Sequence, residues 1–274
     1  MRKFAAEQGY MTFAINGEFD YVQLAYLQAL SIKATQKINN YAVVVKSLDD
    51  VKEEYRKVFD HIILLPSTIA GKFSHEYHAW ALTPFRETVK VEADILFTQN
   101  LDHWWRSYLN DVVVCNKVIK YNGERYTDRS QRRLFDENLL PDVYSGWVYF
   151  RYSQNSMQFF QLIRSIYENW TWFKDVYLKN CRYEYPVTDE VYAIACRIFG
   201  EHQTTTPGDI PTFVHMKNAG QQLSVDKAWY NQLYFQKHEN SVTLGFYKQW
   251  APLHYCDKSF ITEELISKYE RRRT

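Results

Sequence analysis

The fold of this chain turns on Thr88-Val89-Lys90-Val91-Glu92-Ala93-Asp94-Ile95. A β-branched run passes directly into two carboxylates spaced two residues apart. Strands without polar alternation belong to parallel sheets covered on both faces, and open α/β sheets bind ligands beyond the carboxyl ends of their strands. In extended chain, residues i and i+2 point the same way, so Glu92 and Asp94 can converge on one divalent cation. Mg²⁺ or Mn²⁺ takes one or two carboxylates plus phosphate oxygens, which makes a nucleotide diphosphate the matching ligand. The competing reading is a solvated turn after a strand, because so short a motif also arises by chance.

Working outward, Met11–Ile15 reads as a strand, followed by a helical pattern over Phe19–Lys37 with Val22, Ala25, Tyr26, Ala29, Leu30 and Ala34 on one face. Tyr41–Val45 is a second buried strand, Leu48–Phe59 a charged helix, and His61–Leu65 a third strand stopped by Pro66. With the strand at 88–92 this is βαβαβ…β, which predicts an α/β fold: a mixed, mostly parallel central sheet with helices on both faces. Toward the C-terminus, Val112–Val114 and Trp147–Phe150 are strands flanking a polar, basic connection from Lys117 to Asp142. Ser153–Trp172 is a helix with Ser153 or Asn155 as N-cap; a second, opened by Thr188, ends at Gly200. Strands near Thr212–His215 and Val242–Tyr247 precede a terminal helix from Thr262. No repeat or linker divides the chain, so one domain is expected.

Of 274 residues, 46% are hydrophobic and 24% charged, with only 9 Gly and 7 Pro, which excludes disordered and collagen-like classes. The aromatic content of 17% serves either a large core or surfaces that stack on rings; Trp104 and Trp105 face the same choice. A net charge of +1 excludes a bulk electrostatic grip on nucleic acid but not a local basic patch. Cys115, Cys181, Cys196 and Cys256 form no CxxC pair and no zinc-ligand spacing, so buried or idle thiols are expected. The N-terminus has no signal-peptide apolar region and no stretch is long enough to span a membrane, so a soluble, cytoplasmic protein is expected. Oligomeric state leaves no mark in the sequence.

The 88–94 segment resembles the DxD signature of GT-A glycosyltransferases, and four further stretches fit that family's order. Phe13-Ala14-Ile15-Asn16, with Tyr21 beyond, is similar to the segment that holds the nucleotide base and ribose. Tyr144-Ser145-Gly146-Trp147 resembles the strand whose small residues let the backbone approach the donor sugar. Thr188-Asp189-Glu190 sits where the family places an acid at the sugar or acceptor, and His254-Tyr255-Cys256-Asp257-Lys258 is similar to the late His…Lys element. The resemblance covers about residues 10 to 260. It implies a nucleotide-binding half (about 10–115), a donor-sugar and acceptor half (about 116–260) and a C-terminal helix (261–274).

That resemblance implies a divalent metal cofactor, Mn²⁺ or Mg²⁺, on Asp94 and His254, and a nucleotide-sugar, UDP-sugar first, held by Ala14, Asn16, Tyr21, Arg86, Glu92, Ser145, Gly146 and Lys258. The extra methylene of Glu92, which replaces the first Asp, is expected to carry its carboxylate from the metal to the ribose or a water. His215 rivals His254 as the metal ligand, being another strand-end His with Lys217 nearby. Asp189 either deprotonates or orients the acceptor hydroxyl, or is a helix N-terminal acid favoured by the dipole. Arg86 is either a phosphate or sugar partner or a surface charge. The basic stretch with Arg125, Arg129, Arg132 and Arg133, and the terminal Lys268, Arg271, Arg272 and Arg273, can be an acceptor surface or solvated charge. The chain resembles small stand-alone enzymes of tailed phages, which makes hydroxymethylcytosine in duplex DNA the first acceptor considered. A cell-surface glycan or lipopolysaccharide precursor is the second. A non-catalytic nucleotide-sugar-binding module is the alternative of another class.

Overall fold

The computed structural model describes residues 2–66, 75–130 and 132–270. Its central sheet has six strands in the order β3-β2-β1-β4-β8-β6: β1 (Ala6–Phe13), β2 (Tyr41–Val45), β3 (His61–Leu64), β4 (Phe85–Val91), β6 (Val112–Cys115) and β8 (Tyr144–Arg151). The first four run parallel; β8 is antiparallel to β4 and to β6. This is the mixed, mostly parallel sheet expected from the apolar runs.

Alternate side chains of each central strand enter two cores on opposite faces. Val89 and Val91 of β4 and Trp147 and Tyr149 of β8 pack with the helix Tyr21–Thr35 and the C-terminal helix Glu263–Glu270. Val148 and Phe150 pack with the helices Gln154–Glu168, Trp170–Tyr177 and Thr188–Phe199. Trp104 and Trp105 lie in the first core, so they pack rather than present a stacking surface.

A second sheet, β5-β13-β9-β7, is built from short pieces: β5 (Ile95–Leu96), β7 (Val118–Ile119), β9 (Phe213–His215) and β13 (Leu253–His254). A small antiparallel sheet of β10 (Phe235–Lys237), β11 (Val242–Leu244) and β12 (Tyr247–Lys248) replaces the single strand expected at 242–247.

Four expectations change. The helix Tyr21–Thr35 is buried on almost every side from Val22 to Ile32 rather than along one stripe. The segment 48–59 forms a 3-10 turn, Leu48–Asp50, and one α-turn, Glu53–Arg56; so short a segment cannot repay helix nucleation by its own propensity. The helix predicted over 153–172 breaks at Asn169, whose side chain donates to the Ser165 carbonyl. The helix opened by Thr188 has no side-chain cap, its N-cap being Val187, although a threonine before Asp189 and Glu190 is a capping residue by type. The C-terminal helix is described to Glu270, and Arg271, Arg272 and Arg273 lie outside the described residues.

Candidate active site at the carboxyl ends of the central strands

β1 and β4 end side by side, and the turn Glu92-Ala93-Asp94 follows β4 into β5. β13 lies between β5 and β9, with His254 opposite Ile95 on one side and His215 on the other. This register brings His254 to the acidic turn: its Nε2 is 3.1 Å from Asp94 Oδ2 and 3.5 Å from Glu92 Oε2. Lys258 Nζ reaches the same Asp94 oxygen at 2.6 Å. The ligand atoms of Glu92, Asp94 and His254 all lie within 4.8 Å of one another. Two carboxylates and an imidazole suit a divalent cation of hard or borderline character.

Electrostatics follow from this crowding. Burial alone would raise the Asp94 carboxyl, but the His254 and Lys258 cations and their hydrogen bonds hold it well below the usual carboxylate range. Glu92 is pushed up to about 7, chiefly by burial, with His254 opposing and Asp94 adding to the rise. One acid of the pair therefore stays ionised while the other exchanges protons near neutrality. The Glu92 carboxylate shares the cluster with Asp94 and His254.

β8 carries the small residues to the same point. Glu92 N–H donates to the Gly146 carbonyl at 3.0 Å. A Cβ on Gly146 would stand 3.0 Å from Glu92 Oε2 and 3.4 Å from its Cδ. The obstacle is the mobile end of a side chain rather than backbone, so Gly146→Ala is expected to fold while displacing the Glu92 carboxylate. Thermal unfolding should be nearly unchanged and metal affinity should fall about tenfold by calorimetric titration; unchanged affinity would remove Glu92 from the ligand set.

Ser145 and Asp189 form one unit. Asp189 Oδ1 accepts from Ser145 N–H at 2.8 Å and Ser145 Oγ–H at 2.7 Å, and Arg132 Nη2 is 2.9 Å from Oδ2. Burial would raise Asp189, yet Arg132 and Ser145 hold it low. A general base needs a lone pair free for the acceptor proton and a pKa near the working pH. Asp189 is held as a carboxylate bonded to Ser145 and Arg132, which makes it a weak base and lets it position Ser145.

Ala14, Asn16 and Tyr21 follow β1 at this end of the sheet. Ala14 N–H donates to the Val44 carbonyl at 2.8 Å, and Asn16 Oδ1 accepts from Val22 N–H at 3.1 Å, holding the entry to the helix Tyr21–Thr35. The Tyr21 phenol is raised by burial, with the Lys258 charge opposing and the Asp94 and Glu92 charges adding.

No protein-family model matches the chain, and no curated protein matches it. Solved structures do. The chain is similar to the galactosyltransferase LgtC, solved with donor and acceptor sugar analogs, at 12% identity over 96% of this chain and 93% of that one (TM-score 0.55). It is similar to mouse xyloside xylosyltransferase 1 at 10% identity over 91% and 97% (TM-score 0.51). It also matches the glycosyltransferase GlyE of Streptococcus pneumoniae TIGR4 at 9% identity over 74% (TM-score 0.47), spanning only 45% of that chain. The fold is GT-A.

On this GT-A frame the other expected residues divide. Arg86 stands near the start of β4, six residues before Glu92 and thus roughly 20 Å from it at about 3.3 Å per residue. It pairs with Glu7 at 3.1 Å, so it is a surface charge and not a donor contact. The arginines expected at an acceptor are mostly neutralised internally. Arg129 pairs with Asp136 and Asp142, and Arg133 with Glu137. Arg132 is buried against Tyr144 and Phe135 and bound to Asp189. Arg125 is exposed. The partners are acids outside the 117–133 window, so counting charge along the chain overstates the patch.

Two residues around this cluster went unread in the sequence. Gln28 donates to the Glu92 and Ile95 carbonyls, fixing the acidic turn. Lys90, buried in β4, pairs with Glu76 at 2.5 Å and donates to the Ser145 carbonyl at 2.9 Å. A lysine inside an apolar strand was the available signal. Glu190 is buried, its Oε2 has no hydrogen-bond partner, and burial followed by the Asp189 charge raises it from 4.5 to about 7. An acid raised on folding contributes stability below its unfolded pKa and loses it as pH rises through the folded value. Glu190→Gln is therefore expected to exceed the parent in stability at pH 8 by about 3 kcal/mol at most, with the gain vanishing below pH 4.5. Urea unfolding at both pH values checks this; an equal difference at the two would overturn it.

Proposed function

We propose that this chain is a glycosyltransferase that moves a sugar from a nucleotide-sugar to an acceptor hydroxyl. One observation carries the reading: Glu92, Asp94 and His254 converge at the carboxyl end of β4 in a GT-A sheet, with Lys258 beside them. These three residues would hold a divalent cation, Mn²⁺ or Mg²⁺, which when bound supplies Lewis-acid neutralisation of charge on a leaving diphosphate. Lys258 adds a point charge to the same end of the donor. Ala14, Asn16 and Tyr21 receive the base and ribose of the nucleotide, with UDP the first candidate. Ser145 and Gly146 keep the wall of the donor-sugar site small, and Asp189 fixes Ser145. Glu190, raised to about 7, is suited to exchange a proton at neutral pH.

The paired arginines favour a glycan or lipopolysaccharide precursor as acceptor over the phosphate backbone of hydroxymethylcytosine DNA, which would need free cations. The test is a panel of nucleotide-sugars with Mn²⁺, offered each acceptor in turn and followed by mass shift of the products. A hexose or pentose increment on one acceptor identifies donor and acceptor together. Metal-dependent release of nucleoside diphosphate without an increment keeps the transferase and rejects those acceptors. Neither signal would overturn catalysis and leave a binding module.

A further inference from the structure

His254 presents its two ring nitrogens to two different clusters. Nε2 faces Asp94 and Glu92, whereas Nδ1 lies 3.2 Å from Nδ1 of His215. Cys256 Sγ is 3.9 Å from that same His215 nitrogen, and the three ligand atoms lie within 4.8 Å of one another. Strand register produces the meeting: β13 and β9 pair in parallel with His254 opposite His215, and Cys256 follows in the left-handed conformation at φ 58°. The chain spacing, 215, 254 and 256, carries no zinc signature, so only the fold brings the set together.

The geometry points to a second metal site, in which a borderline-soft cation such as Zn²⁺ is held by Nδ1 of His215, Nδ1 of His254 and the thiolate of Cys256; a neutral imidazole has one ring lone pair, so in this state His254 Nε2–H donates to Asp94 and the ring leaves the ligand set of the carboxylate cluster. Tetrahedral zinc bonded to nitrogen at about 2.0–2.1 Å and sulfur at about 2.3 Å separates its ligand atoms by roughly 3.3–3.6 Å, and the observed 3.2 and 3.9 Å bracket that range. The thiolate selects Zn²⁺ over the harder Mg²⁺, which separates this site chemically from the carboxylate cluster. His215 is buried. The backbone is held from outside. Gln221 Nε2 donates to the His215 carbonyl at 2.7 Å, and Lys258 Nζ to the Cys256 carbonyl at 2.8 Å. Three protein ligands leave a fourth position, and Cys256 also lines a cavity of about 440 Å³ with Met216, Lys217 and Trp229.

This site shares His254 with the transferase reading, but its readout involves no nucleotide-sugar, so the two fail separately. The test is titration of the full chain with Co²⁺, whose bond to a thiolate gives a charge-transfer absorption in the near ultraviolet. A saturable band is expected in the parent and in Asp94→Ala. It should be lost in Cys256→Gly, with apparent Co²⁺ affinity down at least about tenfold. Glycine accepts φ 58° without strain, so that variant keeps its fold. In the parent protein, Zn²⁺ should also slow alkylation of Cys256, read by peptide mass. No band, a band that persists in Cys256→Gly, or an alkylation rate indifferent to Zn²⁺ would each overturn the proposal.

Discussion

Asp94→Asn is expected to lower metal-dependent turnover of the nucleotide-sugar by roughly a thousandfold, about 4 kcal/mol of transition-state stabilisation. The size follows from what meets at one atom. Asp94 Oδ2 receives both His254 Nε2 and Lys258 Nζ, and Asp94 is the acid of the pair held ionised. Asn keeps the shape and one acceptor but removes the charge that an ion needs, leaving Glu92 as the one carboxylate of the cluster. The loss should fall on kcat more than on KM, because charge on the leaving diphosphate develops as the bond breaks. Stability moves with it. A carboxylate whose folded pKa is depressed contributes stability above its unfolded pKa and loses it as pH falls through the folded value. Asn removes that contribution at neutral pH, so circular dichroism must accompany the kinetics. A folded Asp94→Asn enzyme with the parent rate would place the metal, or the chemistry, elsewhere.

The parallel half of the sheet was legible because strands buried on both faces appear as unbroken apolar runs at Tyr41–Val45 and in β4. The second sheet was not. β13 and β7 are two residues each and owe their existence to pairing with β9, which no local pattern announces. The same contrast divides the site. Asp94 could be found because it follows a strand directly, and His254 because its motif lies late in the chain in a known order. The Arg132–Asp189 pair, the His215–His254–Cys256 cluster and the cancellation of Arg129 by Asp136 and Asp142 depend on long-range register. Gln28 and Lys90 were hidden for another reason. Each is a polar residue inside an apolar element, where pattern reading takes it for a surface position, and its partners are backbone carbonyls or distant side chains.

Gln28→Leu is the substitution expected to cost the fold most, about 3–4 kcal/mol. The side chain is fully buried and bonded on both sides. Its Nε2 donates to the Glu92 carbonyl at 2.6 Å and the Ile95 carbonyl at 2.8 Å; its Oε1 accepts from Thr12 Oγ1 at 2.5 Å and Tyr41 OH at 2.9 Å. Leucine fills a similar volume, so the loss is polar rather than a cavity. Two of the four partners have recourse: Thr12 Oγ1 also reaches the Val91 carbonyl at 3.2 Å, and the Glu92 carbonyl also accepts from Ile95 N–H at 3.2 Å. The penalty therefore falls on the Tyr41 hydroxyl and the Ile95 carbonyl, at about 1–3 kcal/mol for each buried group deprived of its partner. Denaturant unfolding should show a lower midpoint with an unchanged slope, since the surface exposed on unfolding is the same. The substitution should also loosen the turn that carries Glu92 and Asp94, so metal affinity falls in the protein that remains folded. A variant as stable as its parent would mean that the amide is no support for the turn; a destabilised variant that binds metal at full strength would separate stability from the site.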